Sequence, residues 1–324
     1  MPTMTCREAI NLAIVEEMER DPGVIILGED VGLYEGSFKV TRGLLARFGD
    51  KRVIDTPIAE AGIVGMACGA AMGGLRPIAE LMTVNFAIVS MDQIMNNVAV
   101  ARYMFGGAVR VPMVIRAPGG GGNQLGSQHS HSLEALFMHC PGLRVVIPSE
   151  PADARGLLKS AIRSDDPVMF LEHEGLYAIK GEVPEQEELI PLGRASVKRE
   201  GRDLTLVALS RMVYVCLDAA KELKEKGIDA EVLDLRGLNP LDMPSVIRSV
   251  RKTGRLLTVE ESWLTGGWGA EICARVVEDA FGDLKAPPLR LGGADVPMPY
   301  NKQLELAAIP DAPRVVARSM ELFK

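Results

Sequence analysis

Short apolar runs alternate with segments of helical period along most of this 324-residue chain, and that alternation leaves few folds open. In the second half, LTLVAL (204–209), AEVLDL (230–235) and RLLTVE (255–260) each have the length of a strand. Helical segments lie at 213–226, stopping at Gly227, at 244–252, stopping near Gly254, and at 267–281. Glycine just past a helix accepts the left-handed backbone that closes the last turn. Strands separated by helices run parallel, so the spacing predicts an α/β sandwich. The first half reads the same way, with strands at 24–27, 52–55, 77–81, 111–115, 143–147 and 168–171. Helices are expected there over 6–19, 58–75, 87–103 and 152–163. The acidic, proline-bearing stretch KGEVPEQEELIPLG has no clear period and marks a connection. The expected division is one α/β domain over 1–185, a linker over 186–202 and a second α/β domain over 203–324.

Composition narrows the function classes. At 47% hydrophobic and 24% charged, the chain can bury two sizeable cores. A net charge of -7 disfavours nucleic acid and anionic membranes as general partners. Five widely spaced cysteines without a CxxC fit buried free thiols in a reducing compartment. The first residues, MPTMTCRE, resemble neither a secretory signal nor a transit sequence, so a cytoplasmic location is expected. Residues 58–75 have the length of a membrane span, but Glu60 and five glycines make a closely packed buried helix the better reading. The run Gly119–Gly122 does not continue as GxGxxG, and neither GxxxxGK[ST] nor GxSxG occurs. His129, His131, His139 and Cys140 match no common zinc-ligand spacing.

Glu60 stands out. Asp55-Thr56-Pro57 reads as a helix start, with Thr56 as N-cap and Pro57 at the first helical position. The third position is then Ala59, so Glu60 closes no capping box. Every residue after it up to Arg76 is apolar or glycine. A carboxylate opening such a helix is costly unless something binds it. Two readings stay open: a solvated or ion-paired rim residue, or a buried carboxyl that meets a donor on a ligand.

The segment DTPIAEAGIVGMACGAAMGGLRPIAELM (55–82) resembles the beta subunit of the thiamine-dependent first component of 2-oxo acid dehydrogenase complexes. So do LGEDV (27–31), DKRVIDTP (50–57), RYMFGG (102–107), QHSHS (128–132), HCPGLRVVIPS (139–149) and GADVPMPY (293–300), and the similarity runs over essentially the whole chain. Within that family the pyruvate dehydrogenase type is the most similar, notably in GAEICAR (269–275).

The resemblance implies an N-terminal thiamine diphosphate (pyrimidine)-binding domain and a transketolase C-terminal-like domain. It implies oxidative decarboxylation of pyruvate with reductive acetylation of lipoyl groups. Branched-chain 2-oxo acids or acetoin are alternative substrates, and a non-catalytic subunit is a reading of another class. By the same resemblance, Glu60 matches the glutamate that shares a proton with N1′ of the aminopyrimidine, and Phe86 matches the aromatic that packs on that ring. His129 matches a loop histidine that orients substrate or the lipoyl group and assists proton transfer during reductive acylation. Glu29 and Asp92 match acids of a buried proton path between paired sites, although another position of that path is Val89 here. Met113, Ala161, Ile162, Ser164 and Asp166 match a potassium loop, with Ser164 departing from the commoner Asp or Asn.

The diphosphate of such enzymes is held through magnesium on a GDG motif. Here only Gly49-Asp50-Lys51 and Gly282-Asp283-Leu284 occur. The resemblance therefore implies a separate alpha subunit that holds magnesium and diphosphate in an α2β2 heterotetramer, and a lipoyl-bearing acyltransferase as the further partner. The small-residue helix 58–75 and the Met-rich segment 91–104 are the expected subunit contacts.

Overall fold

A computed structural model describes Met1–Lys324. The chain forms two compact units, one of Met1–Gly119 with Leu136–Leu192, the other of Gly120–Ala135 with Gly193–Lys324. The segment that carries His129 thus packs with C-terminal residues.

The first unit opens with β1 (Thr3–Thr5) and α1 (Cys6–Arg20), where Thr5 Oγ1 accepts from the Glu8 amide and Glu8 accepts from the Thr5 amide. That reciprocal pair satisfies two amides that the first turn would leave bare. There follow β2 (Val24–Gly28), α2 (Leu44–Phe48), β3 (Val53–Asp55), α3 (Glu60–Met72), β4 (Arg76–Glu80), α4 (Ala101–Met104) and β5 (Val114–Gly119). Beyond α5 (Glu134–Met138) come β6 (Arg144–Val146), α6 (Pro151–Arg163), β7 (Val168–His173) and β8 (Lys180–Glu182). Six of these strands form a parallel sheet in the order β6-β7-β5-β4-β2-β3. The order turns back at β2, which has β3 on one side and β4 on the other. A ligand crevice opens at such a turn, beyond the carboxyl ends of the strands. α1 packs on α6 over the core, and the buried Glu17 bonds Arg163 at 2.7 Å across that contact.

The second unit contains β9 (Ser196–Arg199), β10 (Leu204–Ala208), α7 (Arg211–Glu225), β11 (Ala230–Asp234), β12 (Gly237–Asn239) and α8 (Met243–Thr253). It continues with β13 (Leu256–Trp263), α9 (Trp268–Ala280), β14 (Leu289–Gly293), α10 (Lys302–Ala308) and α11 (Ala312–Met320). Its sheet has the order β14-β13-β10-β11-β9, parallel except for β9. α8 stops at Gly254, whose φ of 76° is the left-handed closure its position suggests.

Five expectations need correction. α3 begins at Glu60 with Ala59 as its cap, rather than at Pro57. A proline at 57 disfavours helical backbone at Thr56, and the Thr56 amide bonds Gly28 O at 3.0 Å, prolonging the strand pairing. α3 is only half covered within the chain: Ala61, Gly62, Met66, Gly69 and Met72 are exposed. The helix expected over 87–103 is broken into a 3-10 turn (Val84–Ser90), a π-helix (Gln93–Val98) and α4. Asn97 Nδ2 approaches the Asp92 carbonyl at 3.5 Å and Asn96 Nδ2 bonds the Asp92 carboxylate at 2.8 Å, side-chain bonds that compete with the regular ladder. β5 starts at Val114, since Met113 N turns back to Val111 O around Pro112. Part of the stretch 186–202 is not bare linker but β9, antiparallel to β11. No helix is long and apolar enough to cross a membrane.

Candidate active site

Strand ends gather charge on one rim of the first sheet. Glu29 follows β2 directly, Asp55 ends β3, Glu80 ends β4, and Arg116 and Glu172 lie toward the ends of β5 and β7. Gly28 permits this crowding, because a Cβ there would lie 2.4 Å from the Glu80 carbonyl. Asp55 accepts from the Gly32 and Leu33 amides at 2.6 and 3.0 Å and so anchors the loop that follows Glu29.

Glu60 and Glu29 are brought together on this rim. Each is 8% exposed, and neither side-chain carboxyl has a hydrogen bond or ion pair within the chain. Burial, followed by the nearby Glu60 charge, raises the Glu29 pKa. Glu60 sits at the first position of α3, where free amides and the helix dipole favour a carboxylate. Two buried carboxyls with no cation beside them suit a neutral ligand edge that presents N–H donors or shares a proton. This is the fit expected of an aminopyrimidine.

Phe86 is half-buried on the 3-10 turn, which packs against α3 as does the π-helix. Asp92 is exposed in this chain and accepts from Asn96 at 2.8 Å and Gln93 at 3.4 Å.

His129 lies in the second unit, half-buried, its amide bonded to Gly126 O at 3.2 Å. His131 nearby stands edge-on to Trp263 at 4.9 Å, and burial lowers its pKa. The glycine run before His129 does not cradle an external anion. Gly121 N donates to Glu261 Oε1 at 2.7 Å and Gly122 N to Glu305 Oε1 at 2.9 Å.

The five potassium candidates are all engaged by protein groups. Met113 O accepts from Val168 N at 3.0 Å and Ala161 O from Ser164 N at 3.1 Å. Arg76 Nη1 donates to Ile162 O at 3.1 Å and Ser164 O at 2.9 Å. The Ser164 hydroxyl donates to Asp166 O at 2.9 Å, and the Asp166 carboxylate bonds Arg102 and, at 3.0 Å, Arg144. Burial would raise the Asp166 carboxyl, yet the two arginines hold it below its ordinary range. Asp165 pairs with Arg76 and Arg110 at 2.8 and 2.9 Å. Four guanidinium groups against two carboxylates make a poor place for another cation.

Three groups escape a reading of the sequence. Arg116, 1% exposed, bonds both Glu80 and Glu172, and Tyr177 Oη donates to Glu172 at 2.6 Å. Their signal was charge inside apolar strand runs: RPIAEL, VIRAP, FLEHE. Glu260, buried at the end of an apolar run, has its pKa pushed up to about 7 by burial, against the Ser262 hydroxyl that bonds it at 3.0 Å. Glu305 carries no local signal, because its partners are 181 and 183 residues away.

Residues 2–180 match the transketolase pyrimidine-binding domain and residues 193–315 the transketolase C-terminal domain. The chain is 50% identical to the mitochondrial pyruvate dehydrogenase E1 component subunit beta of Drosophila melanogaster, over 99% of this chain and 89% of that one. It is 49% identical to the pyruvate dehydrogenase E1 component subunit beta of Rhizobium meliloti (strain 1021), over 98% of this chain and 69% of that one. Among solved structures, a split-gene transketolase described as an inactive beta4 tetramer superposes with a TM-score of 0.81 at 27% identity, covering 98% of each chain. Two transketolase domains in this order, together with half-identity along nearly the whole length, place the chain in the family of pyruvate dehydrogenase E1 beta subunits.

Proposed function

We propose that this chain is the beta subunit of a thiamine diphosphate-dependent pyruvate dehydrogenase. With an alpha subunit it decarboxylates pyruvate and transfers the acetyl group to lipoyl on an acyltransferase. The observation that carries this reading is the buried Glu29–Glu60 pair, which lacks any partner in its own chain. When bound, thiamine diphosphate supplies the electron sink that 2-oxo acid decarboxylation needs. Glu60 holds a proton at the pyrimidine N1′, from the amide-rich end of α3. Glu29 keeps a second carboxyl beside it, its own pKa raised, and burial excludes the water that would compete for that proton. Phe86 packs on the pyrimidine ring. His129 positions the acceptor and moves a proton during acyl transfer. Asp92 reaches the proton path only where another chain covers it.

Magnesium and the diphosphate belong to the alpha chain in this reading. The exposed small-residue face of α3 and the exposed Val89, Tyr103, Met104 and Phe105 supply apolar surface for subunit contact. The related split-gene transketolase is inactive as a beta-only assembly, which supports dependence on a second chain. The test is reconstitution with an alpha-type chain carrying GDG, assayed with pyruvate, branched-chain 2-oxo acids and acetoin. Turnover should need both chains and favour pyruvate; turnover by the beta chain alone would refute the split site.

No potassium is required at 161–166 in this reading, since guanidinium groups already hold the loop. The melting temperature should agree within about 1 °C among potassium, sodium and choline chloride at equal ionic strength. A bound ion at a hundredfold excess over its Kd would raise it by several degrees, so a potassium-specific rise of that size counts against the reading.

A further inference from the structure

Residues 120–135 carry four backbone positions in the left-handed region, Gly120, Gly122, Gln124 and Gly126. A segment so rich in permissive positions has many conformations open to it, and something must select one. The selection comes from the far end of the chain. Glu305, on α10, is wholly buried. Its Oε1 accepts from Gly122 N at 2.9 Å and Gln124 N at 3.1 Å, and its Oε2 also approaches Gln124 N at 3.1 Å. Glu261 Oε1 accepts from Gly121 N and, beyond His129, from Ser132 Oγ at 3.1 Å. Arg211 Nη1 donates to Gly121 O at 2.9 Å, and a Cβ at Gly122, whose φ is +107°, would displace that guanidinium, 2.7 Å away. Ser127 Oγ donates to Met298 O at 3.1 Å. Carboxylate bonds to backbone amides are short, directional and stronger than neutral ones. Consecutive amides of this kind would form a nest for an external anion, but the chain fills it with its own carboxylates.

We propose that Glu305, together with Glu261 and Arg211, is a positioning residue that sets the segment bearing His129 for transfer to the lipoyl acceptor. The proposal rests on the reading of His129 given above. None of the three need touch substrate; they fix both flanks of the histidine. Misplacement of a reacting group by about 1 Å costs roughly a hundredfold in rate.

The test uses the assembled enzyme with Glu305→Gln, which keeps the shape but turns one acceptor into a donor facing amides. Arg211→Met is an independent variant in case the buried glutamine hinders folding. Each is assayed for pyruvate decarboxylation with ferricyanide as acceptor and for acetylation of a lipoyl domain. The ratio of lipoyl-coupled to ferricyanide-coupled rate should fall by about 10–100-fold in both, as in His129→Ala. Chymotrypsin cleavage at Leu125, read without cofactor, should quicken by about tenfold as the segment opens. A merely structural role would lower both rates by one factor, and that outcome, or an unaltered ratio, overturns the proposal. If His129→Ala alters the ratio and neither Glu305→Gln nor Arg211→Met does, the proposal falls alone. If His129→Ala leaves the ratio unaltered, the reading of His129 falls and the proposal with it.

Discussion

Glu60→Gln is expected to lower pyruvate decarboxylation by the assembled enzyme by about 10²–10⁴-fold, the range that a positioned acid–base group contributes. Glutamine keeps the volume and one acceptor oxygen, so the packing at the start of α3 is retained. What it removes is the capacity to hold a proton at the ring nitrogen. Stability should change little, because relief of a buried carboxylate without a side-chain partner is offset by the loss of a charge that the start of α3 favours. The same substitution removes one of the causes that raise Glu29, whose pKa should move back toward the ordinary carboxylate value. Ferricyanide-coupled decarboxylation, melting temperature and subunit assembly are the measurements. A Glu60→Gln enzyme within threefold of the parent would sink the assignment of this pair as the cofactor's proton partner.

Arg116→Leu should destabilise the first unit by about 3–5 kcal/mol, the cost of leaving buried carboxylates without their counter-ion. On a unit of this size the melting temperature should fall by roughly 10 °C. Glu80 is already raised, mainly by burial, with Arg116 opposing the rise. Without the guanidinium Glu80 rises further, and a carboxyl whose folded pKa is raised contributes stability at low pH that is lost as pH increases. The loss should therefore be larger at pH 8 than at pH 5. Exchanging Arg116, Glu80 and Glu172 together for apolar residues of similar volume should recover most of the deficit. Chemical denaturation of the single and triple variants at both pH values decides the matter. A single variant as stable as the parent at pH 8 would mean that the cluster is wet rather than sealed.

Periodicity made most of both sheets legible. Buried parallel strands read as apolar runs, so β2, β4, β7, β10 and β11 stand near the expected positions. The break in the helix over 87–103 was not legible, because it depends on how Asp92 and Asn97 bond each other's neighbourhood rather than on hydropathy. Glu60 was visible as a lone charge before a long uncharged run, although the proline signal at Pro57 lies three residues before the helix begins. The partners of Glu305 and Glu261 were not visible at all. A carboxylate that bonds backbone amides leaves no pattern of residue types at the other end, and here the amides belong mainly to glycines. The arginines around Asp165 and Asp166 were hidden for a similar reason: Arg76, Arg102, Arg110 and Arg144 come from four separate stretches.

The path of the chain between its two units bears on how such proteins can be cut and recombined. It crosses at 119/120, at 135/136 and again at 192/193. A hybrid joined once, near residue 193, takes its histidine segment from one parent and the carboxylates and arginine that hold it from the other. Glu261, Glu305 and Arg211 would then meet a foreign glycine loop, and small differences in that loop would register as poor acyl transfer even where each domain folds. Junctions that also exchange 120–135 keep segment and support together, and they mark where domain exchange between relatives preserves a working loop.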